Sequence, residues 1–358
     1  MLSVGIVGLP NVGKSTVFNA LCGGGAKVSN YAFCTVEPNR AVVAVPDPRL
    51  ERLAEIFEQD RAVPASIEFV DIAGLVRGAN KGEGLGNQFL AEIREVDALL
   101  HIVRCFSDAQ VPHVEGSVDP VRDVEIVELE LILADLEMVQ RRQQKIASAV
   151  KGRDRDAQRE ADSLSRLAEH LDRGELARSI ANRDEIARAV SFPLLTDKPH
   201  VYLANLGEQD AEAAEALARL EKWAAARVVP LAGKLEADLA ELPDDERSAF
   251  VAELDLSASG LERVIRACYD ALDLVTFLTG VGAEIRAWAV PRGTQLPAAA
   301  GRIHTDMERG FIRAEVIAFD DLSQLGSWND AHRAGHVRSE GKEYRVQEGD
   351  VLLIRFSA

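Results

Sequence analysis

The chain begins MLSVGIVGLPNVGKSTVFNAL (1–21), and the stretch GLPNVGKS, Gly8 to Ser15, decides the fold. Ahead of it LSVGIV (2–7) is a short apolar, β-prone run, and behind it KSTVFNAL has helical spacing. Strand, glycine loop and helix in that order form a phosphate cradle. Glycines at the ends avoid the collision a Cβ would make with the anion, and backbone N–H groups converge on it at the helix N-terminus. The pattern predicts that Asn11, Val12, Gly13, Lys14, Ser15 and Thr16 surround the phosphates. Lys14 then reaches the β- and γ-phosphates, and the Ser15 hydroxyl ligates Mg²⁺.

A second piece lies at IEFVDIAGL (67–75), where a β-prone run ends in Asp71 and Gly74 follows three residues later. Beside a phosphate loop, that spacing predicts an Asp71 that holds Mg²⁺ through water and a Gly74 N–H that senses the γ-phosphate. The following RGANKGEGLGNQF (77–89) is polar and glycine-rich, and is expected to be mobile until a γ-phosphate orders it.

At 358 residues and 47% apolar content, the chain is too long for one ordinary core and reads as two or three domains. A net charge of −17 opposes a simple electrostatic grip on nucleic acid, so any RNA contact has to be local. Cys22, Cys34, Cys105 and Cys268 are scattered without metal-ligand spacing, which argues against a zinc site or a disulfide framework. No run approaches a membrane span, and a cytoplasmic protein is expected.

Further β-prone runs at 98–103, 200–204 and 227–230 alternate with helical stretches, which predicts an α/β domain with a mostly parallel sheet over 1–119 and 193–275. Between its halves, Val124, Val127, Leu131, Leu136 and Val139 recur among Glu, Gln and Arg. The pattern breaks near Lys151-Gly152 and resumes at Leu164, Leu167 and Leu171. That texture predicts an inserted antiparallel helical hairpin over 120–192. From 276 to 358 the runs EIRAWAV, GFIRAEVIAF, KEYRV and DVLLIRF predict a small α+β domain of β-grasp type. Its ten Lys/Arg against eleven Asp/Glu place the acidic excess elsewhere in the chain.

The base is read at Asn205-Leu206-Gly207-Glu208. Guanine-specific domains of this class carry Asn-Lys-x-Asp there. Leu206 replaces the lysine stem, and Glu208 is one methylene too long for the aspartate's paired hydrogen bonds. An asparagine amide suits adenine instead, which predicts ATP preference with Asn205, Leu206 and Glu208 at the base.

Taken together, GLPNVGKSTVFNAL, NYAFCTVEPN (30–39), VDIAGLVRGANKGEGLGNQFL (70–90), the Asn205 motif and GRIHTDMERGFIRAEVIAFDD (301–321) resemble the YchF family of Obg-like ATPases over essentially the whole chain. The resemblance implies a P-loop domain of the translation-factor-related class, a coiled-coil insertion and a C-terminal TGS domain. It implies ATP hydrolysis in preference to GTP hydrolysis, association with ribosomes or the translation machinery, and a role in stress responses.

Catalysis raises its own problem, because the position after Gly74, where related enzymes carry a water-orienting glutamine, is Leu75. The loop QVPHVEG (110–116) offers His113 as the replacement, since the family has a histidine in a similar loop, although a loop histidine is as readily a solvated one. Thr35 resembles the switch threonine that reaches Mg²⁺, and Asn11 resembles the asparagine that helps hold K⁺ in potassium-activated relatives. Arg302, His304, Arg309 and Arg313 offer a terminal-domain surface for RNA or protein, or a structural cluster beside core residues. Two other readings stay open: a GTPase with an altered base motif, and a kinase using the same phosphate loop.

Overall fold

The computed structural model describes residues 2–27, 36–37, 39–72, 85–152, 154–190, 192–207, 211–224, 227–242, 246, 260–280 and 284–357. Among the site residues expected from sequence, Thr35, Gly74 and Glu208 lie outside this set, as does Leu75. The chain divides into two compact units, one drawn from 1–24, 36–41 and 68–264, the other from 25–35, 42–67 and 265–358.

In the first unit, β1 (Ser3–Val7) starts a seven-stranded sheet with β2 (Val36–Glu37), β3 (Arg40–Ala44), β5 (Ser66–Asp71), β6 (Ala98–Arg104), β7 (His200–Asn205) and β8 (Val228–Leu231). The order is β2-β3-β5-β1-β6-β7-β8. β1 runs parallel to β5 and β6, β6 to β7, and β7 to β8, while β2 and β3 are antiparallel. Every residue of β1, β6 and β7 is buried, which is why these strands read as unbroken apolar runs rather than alternating ones. The register places Ile6 opposite Asp71, Val7 opposite His101 and Arg104 opposite Asn205. The carboxyl ends of four parallel strands therefore gather on one edge, where open α/β sheets bind ligands.

From that edge the chain leaves β6 for helix α4 (Pro120–Lys151) and returns through helix α5 (Arg155–Asp172). Asp119 caps α4 by accepting from the Arg122 N–H, with Pro120 in the first turn, where its missing N–H costs nothing. Gly152 ends the helix, and Asp154 caps α5 through the N–H groups of Asp156 and Ala157. Val139 and Ile146 on α4 pack with Leu164, Leu167 and Leu171 on α5 and close the hairpin, with Leu136 against them, whereas Val124 of the expected stripe packs with Val103 and Tyr202 of the sheet.

The second unit holds β4 (Ala62–Val63), β9 (Leu274–Thr279), β10 (Ile285–Pro291), β11 (Phe311–Ala318), β12 (Arg338–Glu340) and β13 (Asp350–Phe356), in the order β12-β11-β13-β9-β10-β4. β9 and β10 are antiparallel, as are β11 and β13, while β13 joins β9 in parallel. Counted from β9, the order is fourth, third, fifth, first, second, which is the β-grasp arrangement. The helix Leu296–Ile303 packs Leu296, Ala299 and Ala300 against Val275, Phe277, Val316 and Leu352.

Two details depart from the sequence reading. KEYRV forms no strand: Arg345 makes only an isolated bridge to Gln295, and the fourth strand is the short, charged Arg338–Glu340. Residues 42–67 and 265–275, expected within the phosphate-loop domain, group with the second unit, the former because β4 extends its sheet beside β10 and Gly280 leaves room for the Phe57 ring, the latter because β9 starts at Leu274.

Candidate nucleotide-binding site

The phosphate loop leaves β1 through Gly8, whose φ of 149° lies in the positive region, and passes Asn11 at 63° and Gly13 at 97°. A Cβ on Gly8 would lie 2.5 Å from the Ile102 carbonyl oxygen, and one on Gly13 would lie 2.3 Å from Asn205 Nδ2. Neighbouring strands alone therefore forbid larger residues at both ends, before any phosphate is considered. Val12 is buried and anchors the middle of the loop, Thr16 is half-buried in the first turn of helix α1 (Lys14–Lys27), and Ser15 is exposed.

Lys14 folds back over the loop, donating from Nζ to Gly8 O at 3.1 Å and Leu9 O at 2.9 Å. Burial lowers its pKa, with the nearby Asp71 carboxylate opposing the shift. Asp71 behaves conversely, since burial raises its pKa and Lys14 opposes. Its Oδ2 stands 3.5 Å from Ser15 Oγ, while Oδ1 is buried with no hydrogen-bond partner. A buried carboxylate oxygen left unpaired beside a hydroxyl is a donor set that suits a hard cation such as Mg²⁺.

Asn205, at the end of β7, is bonded to two neighbouring segments of the site. It is 4% exposed, its Nδ2 donates to Val12 O at 2.9 Å, and its Oδ1 accepts from the Gly233 N–H at 3.0 Å. The amide thereby ties β7 to the phosphate loop and to the start of helix α8 (Gly233–Glu241), and one N–H and one oxygen lone pair remain beyond these two bonds. Leu206 donates its N–H to Leu231 O, and its half-buried side chain packs against the cluster of Val103, Tyr202 and Ala204.

His113 is not the solvated loop histidine. Its side chain is 4% exposed, Nε2 lies 2.8 Å from Asp123 Oδ2, and Nδ1 accepts from the Glu115 N–H at 3.1 Å. The side chain is enclosed rather than solvated. Asn11 Nδ2 donates to Pro112 O at 3.1 Å, fastening this loop to the phosphate loop.

Sequence reasoning missed Arg104, the last residue of β6. It is 2% exposed and donates to the carbonyls of Phe106 (3.1 Å), Val111 (2.9 Å) and Asp108 (3.2 Å), with its guanidinium over the Phe106 ring. A charged residue closing an otherwise apolar run, ALLHIVR, was the available signal. Among the described residues no group of His, Cys, Asp and Glu forms a metal cluster, and Cys105 and Cys268 are buried thiols.

A glycine loop between a buried parallel strand and a helix, with lysine and serine at the helix start and an aspartate closing the adjacent strand, defines a P-loop domain of the G-domain type. This one carries a helical insertion and a β-grasp unit. The comparisons agree: residues 3–150 match the family profile MMR_HSR1, described as 50S ribosome-binding GTPase, and residues 274–357 match YchF-GTPase_C, described as protein of unknown function (DUF933). The chain belongs to the YchF family. It is 47% identical over 363 residues to the ribosome-binding ATPase YchF of Bacillus subtilis, with 99% of each chain covered. It is 49% identical to the protein of the same name from Haemophilus ducreyi, covering 99% of this chain and 98% of the other. A solved structure of the Schizosaccharomyces pombe YchF GTPase matches with a TM-score of 0.87 at 34% identity, covering 99% of this chain and 97% of that one.

Proposed function

We propose that this protein is a slow, regulatory ATPase of the cytoplasm that binds ATP in preference to GTP and acts on the ribosome or its factors, with a part in stress responses. The observation that carries the nucleotide reading is the unpaired, buried Asp71 Oδ1 beside Ser15, next to a lysine whose charge is held over the loop by two carbonyls. In the loaded protein Lys14 would exchange those carbonyls for β- and γ-phosphate oxygens, and Ser15, Thr35 and, through water, Asp71 would hold Mg²⁺. The bound Mg²⁺ supplies positive charge to the phosphates. The Gly74 N–H meets the γ-phosphate, and His113 takes the proton of the attacking water. K⁺ near Asn11 is a further source of positive charge, tested by exchanging K⁺ for Na⁺ at equal ionic strength.

Preference for ATP rests on the missing lysine and aspartate of the guanine motif, with Asn205, Leu206 and Glu208 as base contacts, and on the ATPase names of the relatives. Ribosome action rests on those names and on the far end of the helical hairpin. There Arg141, Lys145, Lys151, Arg155 and Arg159 are exposed, a local basic surface on an acidic chain suited to RNA phosphates. The profile name over residues 3–150 favours a second reading, a GTP-hydrolysing ribosome or assembly factor.

One experiment separates the two: titration with fluorescent ATP and GTP analogues in Mg²⁺, wild type beside Glu208→Asp. ATP binding at least tenfold tighter, about 1.4 kcal/mol, supports the ATPase reading. Equal or tighter GTP binding transfers the assignment to the second.

A further inference from the structure

His113 sits in the middle of a strap that joins the phosphate loop to the inserted hairpin. Because Nδ1 accepts the Glu115 N–H, the ring proton of the neutral imidazole resides on Nε2 and is donated to Asp123 Oδ2. The other oxygen of Asp123 accepts from Arg122 Nε at 3.1 Å and Nη2 at 2.8 Å, and Arg122 Nη1 also donates to Ser117 Oγ at 3.0 Å. Side-chain exposure is 4% for His113 and 3% for Asp123. One residue earlier, the Pro112 carbonyl accepts from Asn11 of the phosphate loop. Both ring nitrogens are occupied, and neither faces water.

We propose that Asp123 is a positioning residue that holds His113 withdrawn, so that the resting protein hydrolyses nucleotide slowly until the first turn of α4 shifts. This rests on the reading of His113 as the group that takes the water proton. Asp123 lies in that first turn, and α4 continues unbroken to Lys151, about 40 Å further along the axis. A partner seated on the exposed basic residues at the far end therefore loads the same rod that carries the latch.

On release, Nδ1 loses the Glu115 N–H and becomes the open acceptor. Water oxygen then attacks the γ-phosphorus, and the bond to the leaving nucleoside diphosphate breaks with its electron pair on the diphosphate. The water proton passes to Nδ1, and the imidazolium returns a proton to solvent after phosphate departs.

The test uses the full chain with Mg²⁺ and ATP, without ribosomes, and measures phosphate release for wild type, His113→Ala, Asp123→Asn, Asp123→Leu and the His113→Ala/Asp123→Asn pair. A charge-assisted hydrogen bond biases its equilibrium by roughly ten- to a hundredfold, so weakening the latch is expected to raise basal turnover about tenfold. The paired variant is expected to fall to the His113→Ala level. Ring-nitrogen NMR of labelled histidine reads the latch without activity: wild-type His113 shows the Nε2–H tautomer, and both Asp123 variants lose it.

Turnover at or below wild type in folded Asp123 variants, with His113→Ala impaired, overturns the latch and leaves the histidine as the base. Unchanged turnover in His113→Ala overturns the reading of the histidine itself. If Asp123→Leu does not fold, the gentler Asp123→Asn decides by the same criterion.

Discussion

Replacing Asn205 by alanine tests whether the residue reads a base or builds the site. In the structure its amide donates to Val12 O at 2.9 Å and accepts from Gly233 N at 3.0 Å, both inside the protein. Truncation strands a buried carbonyl and a buried N–H, each costing about 1–3 kcal/mol, and a net loss of about 3 kcal/mol is expected. For a unit of this size that lowers the melting temperature by roughly 6–12 °C. The phosphate loop loses its tether from β7, so ATP and GTP analogues are expected to weaken by a similar factor, their ratio changing less than about threefold. The assay pairs thermal unfolding of the apo protein with titration of both analogues. An unchanged melting temperature with a tenfold swing in the ATP:GTP ratio would refute the reasoning and make the base contact the residue's main role.

Three further outcomes follow from the same geometry. Asp71→Asn should act in opposite directions on two readouts. Burial raises the Asp71 pKa, so its contribution to stability is present below the unfolded value of 3.8 and is lost as pH rises through the higher folded value. The neutral amide should therefore raise the apo melting temperature near pH 7 while Mg²⁺-dependent nucleotide binding weakens at least tenfold. Arg104→Met keeps the stem but removes the donors to Phe106, Asp108 and Val111, and should cost about 2–4 kcal/mol in denaturant unfolding and speed proteolysis within 105–113. His101 is buried, and burial foremost, then Arg178 and Lys14, pushes its pKa from 6.5 down to about 3. Its contribution is intact above pH 6.5 and is lost as pH falls toward 3, about 2 kcal/mol by pH 5. His101→Gln should flatten stability between pH 7.5 and pH 5, and an unchanged slope would remove this residue as the cause.

What local sequence could carry, it carried. The glycine loop, the alternation of strands and helices, Asp71 at a strand end and the hairpin break at Gly152 all depend on spacing within about a dozen residues. The failures were long-range. The Asn205 amide meets Val12, 193 positions away, so nothing near the Asn-Leu-Gly-Glu stretch reveals that the side chain also tethers the phosphate loop. β4 finds its place beside β10 across more than two hundred residues, which is why 42–67 read as part of the first domain. β12 is short and charged, as edge strands are, and so lacks the alternation that KEYRV shows without forming a ladder. Periodicity reports burial, and burial does not require pairing.

The acidic residues of α4 complete that point, because among Glu, Gln and Arg they read as a solvated face. Three of them, together with the N-cap Asp119, are structural anchors. Asp119 pairs with Arg219, and Asp123 with His113. Glu128 accepts from Arg178 at 2.9 Å and from the Tyr202 hydroxyl at 2.5 Å, and Asp135, fully buried, accepts from the N–H groups of Leu195 and Thr196. Apolar contacts tolerate sliding and rotation, whereas a buried carboxylate loses most of its compensation when its donors shift. Two of the anchors, Glu128 and Asp135, bond to the returning segment through Arg178, Leu195 and Thr196, so helix and return are fixed to each other in register. Among the described residues, polar ties from α4 and its cap to the sheet side include Tyr202, Arg219, Arg94 through Met138 Sδ, and the His113 loop. A displacement of the hairpin must therefore be taken up at these few ties rather than absorbed within it, and His113 is the one that stands next to the phosphate loop.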